Sequence, residues 1–239
     1  MVNAVILAFD DHYRSRSTAS DVTKRAFVNL WKTQIQAGDQ KGTWDWLDFG
    51  LEPWEATGSR YYGAALAAIA VGTVPGYAAA SVDADLTAKL ALVREYLRDK
   101  APAQNLFNQA WALWASTNLD GMLTQNVQKQ IIGRLLDKQR EDGGWSLASL
   151  GTFERRDGST QDTTSDGYAT GLVLHVLQVA GVPKDDAKLA KGLFWLKKNQ
   201  AATGAWRGVS VNKERDPATH VGKFMSDAAT AYAVLALSH

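Results

Sequence analysis

Apolar and polar positions along this chain define two kinds of segment that alternate. Val22 to Gln36, Thr124 to Arg140 and Asp185 to Gln200 each carry an apolar stripe at helical spacing with polar residues opposite. In the last of these, Leu189, Leu193, Phe194, Trp195 and Leu196 face Lys188, Lys191, Lys197 and Lys198. Asp85 to Lys100 has the same two-faced character. Asp21, Thr124 and Asp185 or Asp186 are suitable helix starts, because their side chains can accept the unpaired N–H groups of a first turn. Segments 61–70, 108–115, 168–177 and 228–237 are instead apolar nearly all round and rich in small residues, and residues 2–9 look like one more. A helix apolar on every face is expected to be buried on every face. The pattern predicts nine helices in strict alternation and no strands, with the all-apolar helices inside and the amphipathic ones packed around them.

The amphipathic segments end alike. Gln34 is followed by Gly42 and Trp44, Gln139 by Gly143 and Trp145, and Gln200 by Gly204 and Trp206. Repetition at this scale means stacked units that stabilise one another through their neighbours. Within each copy, the Gln amide can satisfy unpaired backbone groups at a neighbouring helix terminus. The Trp can stack over that amide, and glycine permits a tight turn. The stretches 143–164 and 201–225 are long for connections in a compact domain, which marks them as places to look for function.

Composition narrows the function classes. The net charge of +1 gives no reason to expect a nucleic-acid partner, and 46% hydrophobic with 21% charged residues is ordinary for a globular chain. The absence of cysteine removes disulfides, thiol nucleophiles and thiolate metal sites. The start Met1 to Phe9 is short for a signal peptide and lacks its basic flank, and no apolar run approaches the roughly 20 residues of a membrane span. The expectation is a soluble chain, with contact to a membrane surface left open. No cofactor or metal is expected.

The string from Lys191 to Gln200, continued by Gly204, Ala205 and Trp206, resembles the QW motif of squalene–hopene and oxidosqualene cyclases. With three copies, the resemblance covers nearly the whole chain. It implies an all-α fold, an α/α toroid of inner and outer helices, here an incomplete ring formed by residues 1–239 as one repeat domain. It also implies a terpenoid-cyclase-related protein that acts on or binds a polyprenyl or triterpenoid lipid. The alternative is a non-catalytic binding or scaffold domain, including a piece of a longer protein that associates through the open ring end. In the family the Gln and Trp residues are structural, which would make Gln34, Trp44, Gln139, Trp145, Gln200 and Trp206 scaffold positions.

The family's cyclases use an Asp-x-Asp-Asp motif at the start of an inner helix, and its middle Asp donates the initiating proton. Aligned on its last position, that motif reads Thr163-Thr164-Ser165-Asp166 here, so serine stands where the acid should be. Two readings of this region remain open. Ser165-Asp166 and Ser226-Asp227, each with its Ser 20 residues past a motif Trp, can be helix caps. Alternatively, Asp162, Asp166 and Asp227 gather at one rim as a carboxylate cluster and supply the catalytic acid. Tyr61, Tyr62, Trp111, Trp114, Tyr168 and Tyr232 would line an aromatic cavity or fill the centre. His220, read as part of the last long loop, would reach the cavity mouth, and His175 lies in a buried helix. Protein prenyltransferases share the toroid but hold zinc with Asp, Cys and His, a set that this cysteine-free chain lacks.

Overall fold

The computed structural model describes residues 1–78 and 83–239. Nine α-helices form among them: α1 (Val2–Tyr13), α2 (Asp21–Lys32), α3 (Arg60–Thr73), α4 (Ala84–Lys100), α5 (Leu106–Asn118), α6 (Gln125–Asp137), α7 (Gly167–Val179), α8 (Ala187–Lys198) and α9 (His220–Leu237). No strand occurs among the described residues, apart from one isolated bridge between Leu51 and Glu55. The chain is therefore all-α. No described helix is long and apolar enough to cross a membrane.

The chain's contacts group into two compact units. One comprises Met1–Gln104 and Trp111–Gln128, the other Asn105–Ala110 and Lys129–His239. In the first, α3 is the central element. Tyr61, Ala64, Ala65, Ala68 and Ile69 are all buried, and they share the core with Phe27, Leu30, Leu97 and Trp111. In the second, α7 holds that place and is buried on all sides from Gly167 to Gln178, packed against α8 and α9. Small residues along both helices allow the neighbouring backbones to come close.

The expectation of all-round burial fails at α1 and α9. In α1 only Ala4, Ala8 and Asp11 are buried, and Ile6 is 61% exposed. In α9 the buried side is Gly222, Ala229, Ala233 and Ala236, while Phe224 is 71% exposed. Each of these helices is covered on one side only, so composition alone overstated its burial. The start of α9 also differs from the expected position near Ala228. Thr219 accepts the Gly222 N–H at 3.2 Å and starts the helix at His220, so Ser226 and Asp227 lie inside it. His220 is therefore the first helical residue rather than part of a loop. The cap of α2 is Ser20 rather than Asp21, whereas Thr124 and Asp186 cap α6 and α8 as expected.

The three Gln–Gly–Trp turns fold alike. Each Trp indole N–H donates to a carbonyl in the last turn of its own preceding helix: Trp44 to Leu30 at 2.7 Å, Trp145 to Leu135 at 2.7 Å and Trp206 to Leu196 at 2.8 Å. The last carbonyls of a helix have no helical partner, so it is the Trp that satisfies a helix terminus. The Gln does something else. Gln139 donates to the Gly143 carbonyl at 2.9 Å and to the Lys188 carbonyl of α8 at 2.7 Å. Gln34 similarly reaches the Lys89 carbonyl of α4 at 3.0 Å. Each of these two turns therefore ties one amphipathic helix to the next, α2 to α4 and α6 to α8. Gly143 has φ of +94°, and a Cβ there would lie 2.9 Å from the Lys191 carbonyl, so both conformation and space require glycine.

The third turn lacks the onward bond. Gln200 donates to the Gly204 carbonyl at 2.9 Å and is exposed, and a Cβ at Gly204 would meet nothing closer than Gln200's own amide at 3.9 Å. Gln139→Ala should therefore cost about 1–3 kcal/mol, and Gln200→Ala less than about 1 kcal/mol. Urea unfolding of the two variants checks this, and equal losses would mean that the bond to α8 contributes nothing.

Candidate functional site

Two of the three candidate acids, Asp162 and Asp166, lie just before or at the start of α7 and the third lies on α9, all within the second unit. Asp166 is the N-cap of α7, a role the sequence assigned to Ser165. Its Oδ1 accepts the Ala169 N–H at 2.9 Å and its Oδ2 accepts the Leu147 N–H at 2.8 Å. The residue is 1% exposed. Burial pushes its carboxyl up to about 7, against the pull of those N–H donors and of Arg207.

Ser165 points elsewhere. Its hydroxyl donates to Asp142 Oδ1 at 2.7 Å. Asp142 also accepts the Gly144 N–H at 3.0 Å and the Trp195 indole N–H at 3.0 Å. Partial burial raises the Asp142 carboxyl, but these three donors outweigh it and hold the group below the ordinary carboxylate range. Asp142 thus joins the second Gln–Gly–Trp turn, the approach to α7 and the side of α8. The sequence reading missed it, although its place directly before Gly143-Gly144 was a signal.

Asp162 pairs with Arg207 at 2.6 Å and accepts the Thr164 hydroxyl at 2.6 Å. Partial burial works against ionisation, but the Thr164 and Arg207 contacts prevail and hold the carboxyl at about 2. Asp227 is exposed on α9. Its expected equivalence to Asp166 is off by one position. Thr170 accepts the Trp145 N–H at 2.9 Å and Thr230 accepts the Trp206 N–H at 3.1 Å, which pairs Asp166 with Ser226 and leaves Asp227 opposite Gly167. Among the described residues, no group of three or more His, Asp or Glu side chains could hold a metal ion.

The aromatic candidates pack on one another. In the first unit, Tyr62 meets Trp111 edge to face at 4.8 Å, Trp111 stacks on Trp114 at 5.2 Å, and the Tyr61 hydroxyl donates to the Leu97 carbonyl at 2.7 Å. Burial raises the Tyr61 and Tyr62 hydroxyls far above their ordinary range. In the second unit, Tyr168 meets Tyr232 edge to face at 5.0 Å and lies near Phe107 at 6.5 Å. His175 is 8% exposed, and burial lowers its imidazole to about 4.

Two cavities open at other places. One, of about 440 Å³, lies between α1 and α2 and is bordered by Ala4, Leu7, Val22 and Ala26. The other, of about 490 Å³, has Asp162 and Arg207 in its wall. None of the aromatic candidates, nor His220, borders either cavity. Comparison with family models and with curated proteins finds no match for this chain.

Proposed function

We propose that this chain is a non-catalytic helical-repeat module, a binding or scaffold relative of the α/α toroids to which its Gln–Gly–Trp turns point. The observation that carries this reading is the commitment of the acid region to structure. Both oxygens of Asp166 accept backbone N–H groups, Ser165 is bonded to Asp142, and Asp162 is neutralised by Arg207. A proton donor to an alkene must still hold its proton at the working pH and face a dry cavity. Asp166 is enclosed and Asp162 gives up its proton at about 2. A toroid-like layering is supported by the clamps that link α2 to α4 and α6 to α8, because these are successive amphipathic helices.

A second reading keeps cyclase-type chemistry on a polyprenyl lipid. It is favoured by the Asp166 carboxyl, which is held near 7 and therefore carries a proton under mildly acidic conditions. One assay separates the two. Incubation with squalene and with prenyl diphosphates, read by mass spectrometry, should give no cyclised product. Product formation that disappears in Asp166→Asn would overturn the non-catalytic reading.

A further inference from the structure

The cavity of about 490 Å³ is built by the loop before α7, the loop after Trp206 and the first turn of α9. Three guanidinium groups border it, from Arg155, Arg207 and Arg215, with Asp162 and Glu214 as the acids. Arg207 is already paired with Asp162. Arg155 is fixed by its terminal nitrogens, which donate to the Thr160 carbonyl at 2.7 Å and the Ser210 carbonyl at 3.0 Å. Among the described residues neither Arg155 nor Arg215 takes part in an ion pair.

Three guanidinium groups around one cavity, only one of them ion-paired, leave positive charge along its wall and favour an anion there. Guanidinium groups match planar or tetrahedral oxyanions, to which they donate charge-assisted bonds. The volume is in the range of small-molecule sites and much larger than a bare ion needs, and Val209, Pro217 and Met225 supply apolar wall. We infer that this cavity binds a small organic oxyanion, a phosphate ester or a carboxylate, held by the guanidinium groups that border it. The inference is independent of whether the chain is catalytic.

Isothermal titration of the full chain with inorganic phosphate, glycerol 3-phosphate and succinate at fixed ionic strength tests it. Saturable binding of at least one probe is expected. Arg215→Gln should weaken that binding about tenfold or more, as loss of a charge-assisted bond implies. Glu214→Gln should tighten it by removing a like charge from the rim. Arg155 also joins two loops, so Arg215 carries the test, with circular dichroism confirming that the variant stays folded. Tighter binding of glycerol 3-phosphate than succinate assigns a phosphate ester, and the reverse order a carboxylate. No saturable binding of any probe, or binding that Arg215→Gln leaves unchanged, overturns the proposal.

Discussion

Asp166→Asn is expected to make the protein gain stability with rising pH between about 4 and 6.5, where the wild type should be nearly flat. Two groups on α7 titrate in opposite senses there. The Asp166 carboxyl is raised by burial from 3.8 to about 7, so across that interval the folded chain holds a proton that the unfolded chain has released. Its contribution is full below the unfolded value and declines as pH rises toward 7, at about 1.4 kcal/mol per pH unit. The His175 imidazole is lowered by burial from 6.5 to about 4, so in its window the unfolded chain holds the extra proton. Its contribution is full above 6.5 and declines at the same rate as pH falls toward 4.

Where the windows overlap, the two slopes cancel. Asp166→Asn leaves the His175 slope alone, and His175→Gln leaves the Asp166 slope, of opposite sign. Urea unfolding at half-unit steps from pH 4.5 to 6.5 reads both. Profiles of the two variants that run parallel to the wild type would defeat the argument. Asp166→Asn should also start less stable near pH 4 and gain on the wild type as pH rises. Its amide faces the Leu147 N–H, which replaces an acceptor by a donor and costs about 1–3 kcal/mol. The diagnostic is therefore the slope, not the offset. Asp162 and Asp142, both held low, act only below about pH 4 and do not disturb this interval.

The second large effect is expected at Trp145. Its ring is fully buried, its indole N–H satisfies the Leu135 carbonyl, and its backbone N–H is held by Thr170. The ring also packs directly under Gly192 of α8, where a Cβ would come within 2.7 Å of it. Trp145→Ala should cost about 3–5 kcal/mol from the cavity alone, a large share of the stability of a domain this size. Thermal and urea unfolding would measure it. A loss below about 1 kcal/mol would mean that the turn is a surface ornament and not the joint between α6, α7 and α8. Trp145→Phe keeps most of the apolar volume and loses the N–H donor, so the gap between the two variants separates packing from hydrogen bonding.

The helices were legible because their signal is local. Periodicity placed the four amphipathic helices and apolar runs the other five described ones, and Thr124 and Asp186 mark the starts of two of them as their residue type suggests. What failed depended on distant partners. The all-apolar composition of α9 was read as enclosure, but composition cannot say whether a second neighbour exists, and Phe224 and Val234 face outward. The shared Ser-Asp spacing suggested matching caps at Ser165 and Ser226. Thr219 starts α9 about two turns earlier, and the threonines that hold the two motif Trp residues are 25 residues past one and 24 past the other. That one-residue difference dissolved the expected cluster of three aspartates. The arginine-bordered cavity left no pattern at all, because Arg155, Arg207 and Arg215 lie on separate stretches of loop that only the fold joins.

The bond between Ser165 and Asp142 bears on which substitutions position 165 can accept. Ser165→Asp would place a carboxyl directly before the cap of α7 in a single step. It would also set a second carboxyl near the Asp142 oxygen that now accepts the serine hydroxyl at 2.7 Å. Two carboxylates that close cannot both ionise, and the step would also remove a donor that Asp142 depends on. An acid at position 165 therefore needs a change at Asp142 as well. That change would release Trp195 and the Gly144 N–H before any benefit arrived. Positions 165 and 142 are therefore coupled: an acid at 165 takes two substitutions, and neither is favourable alone.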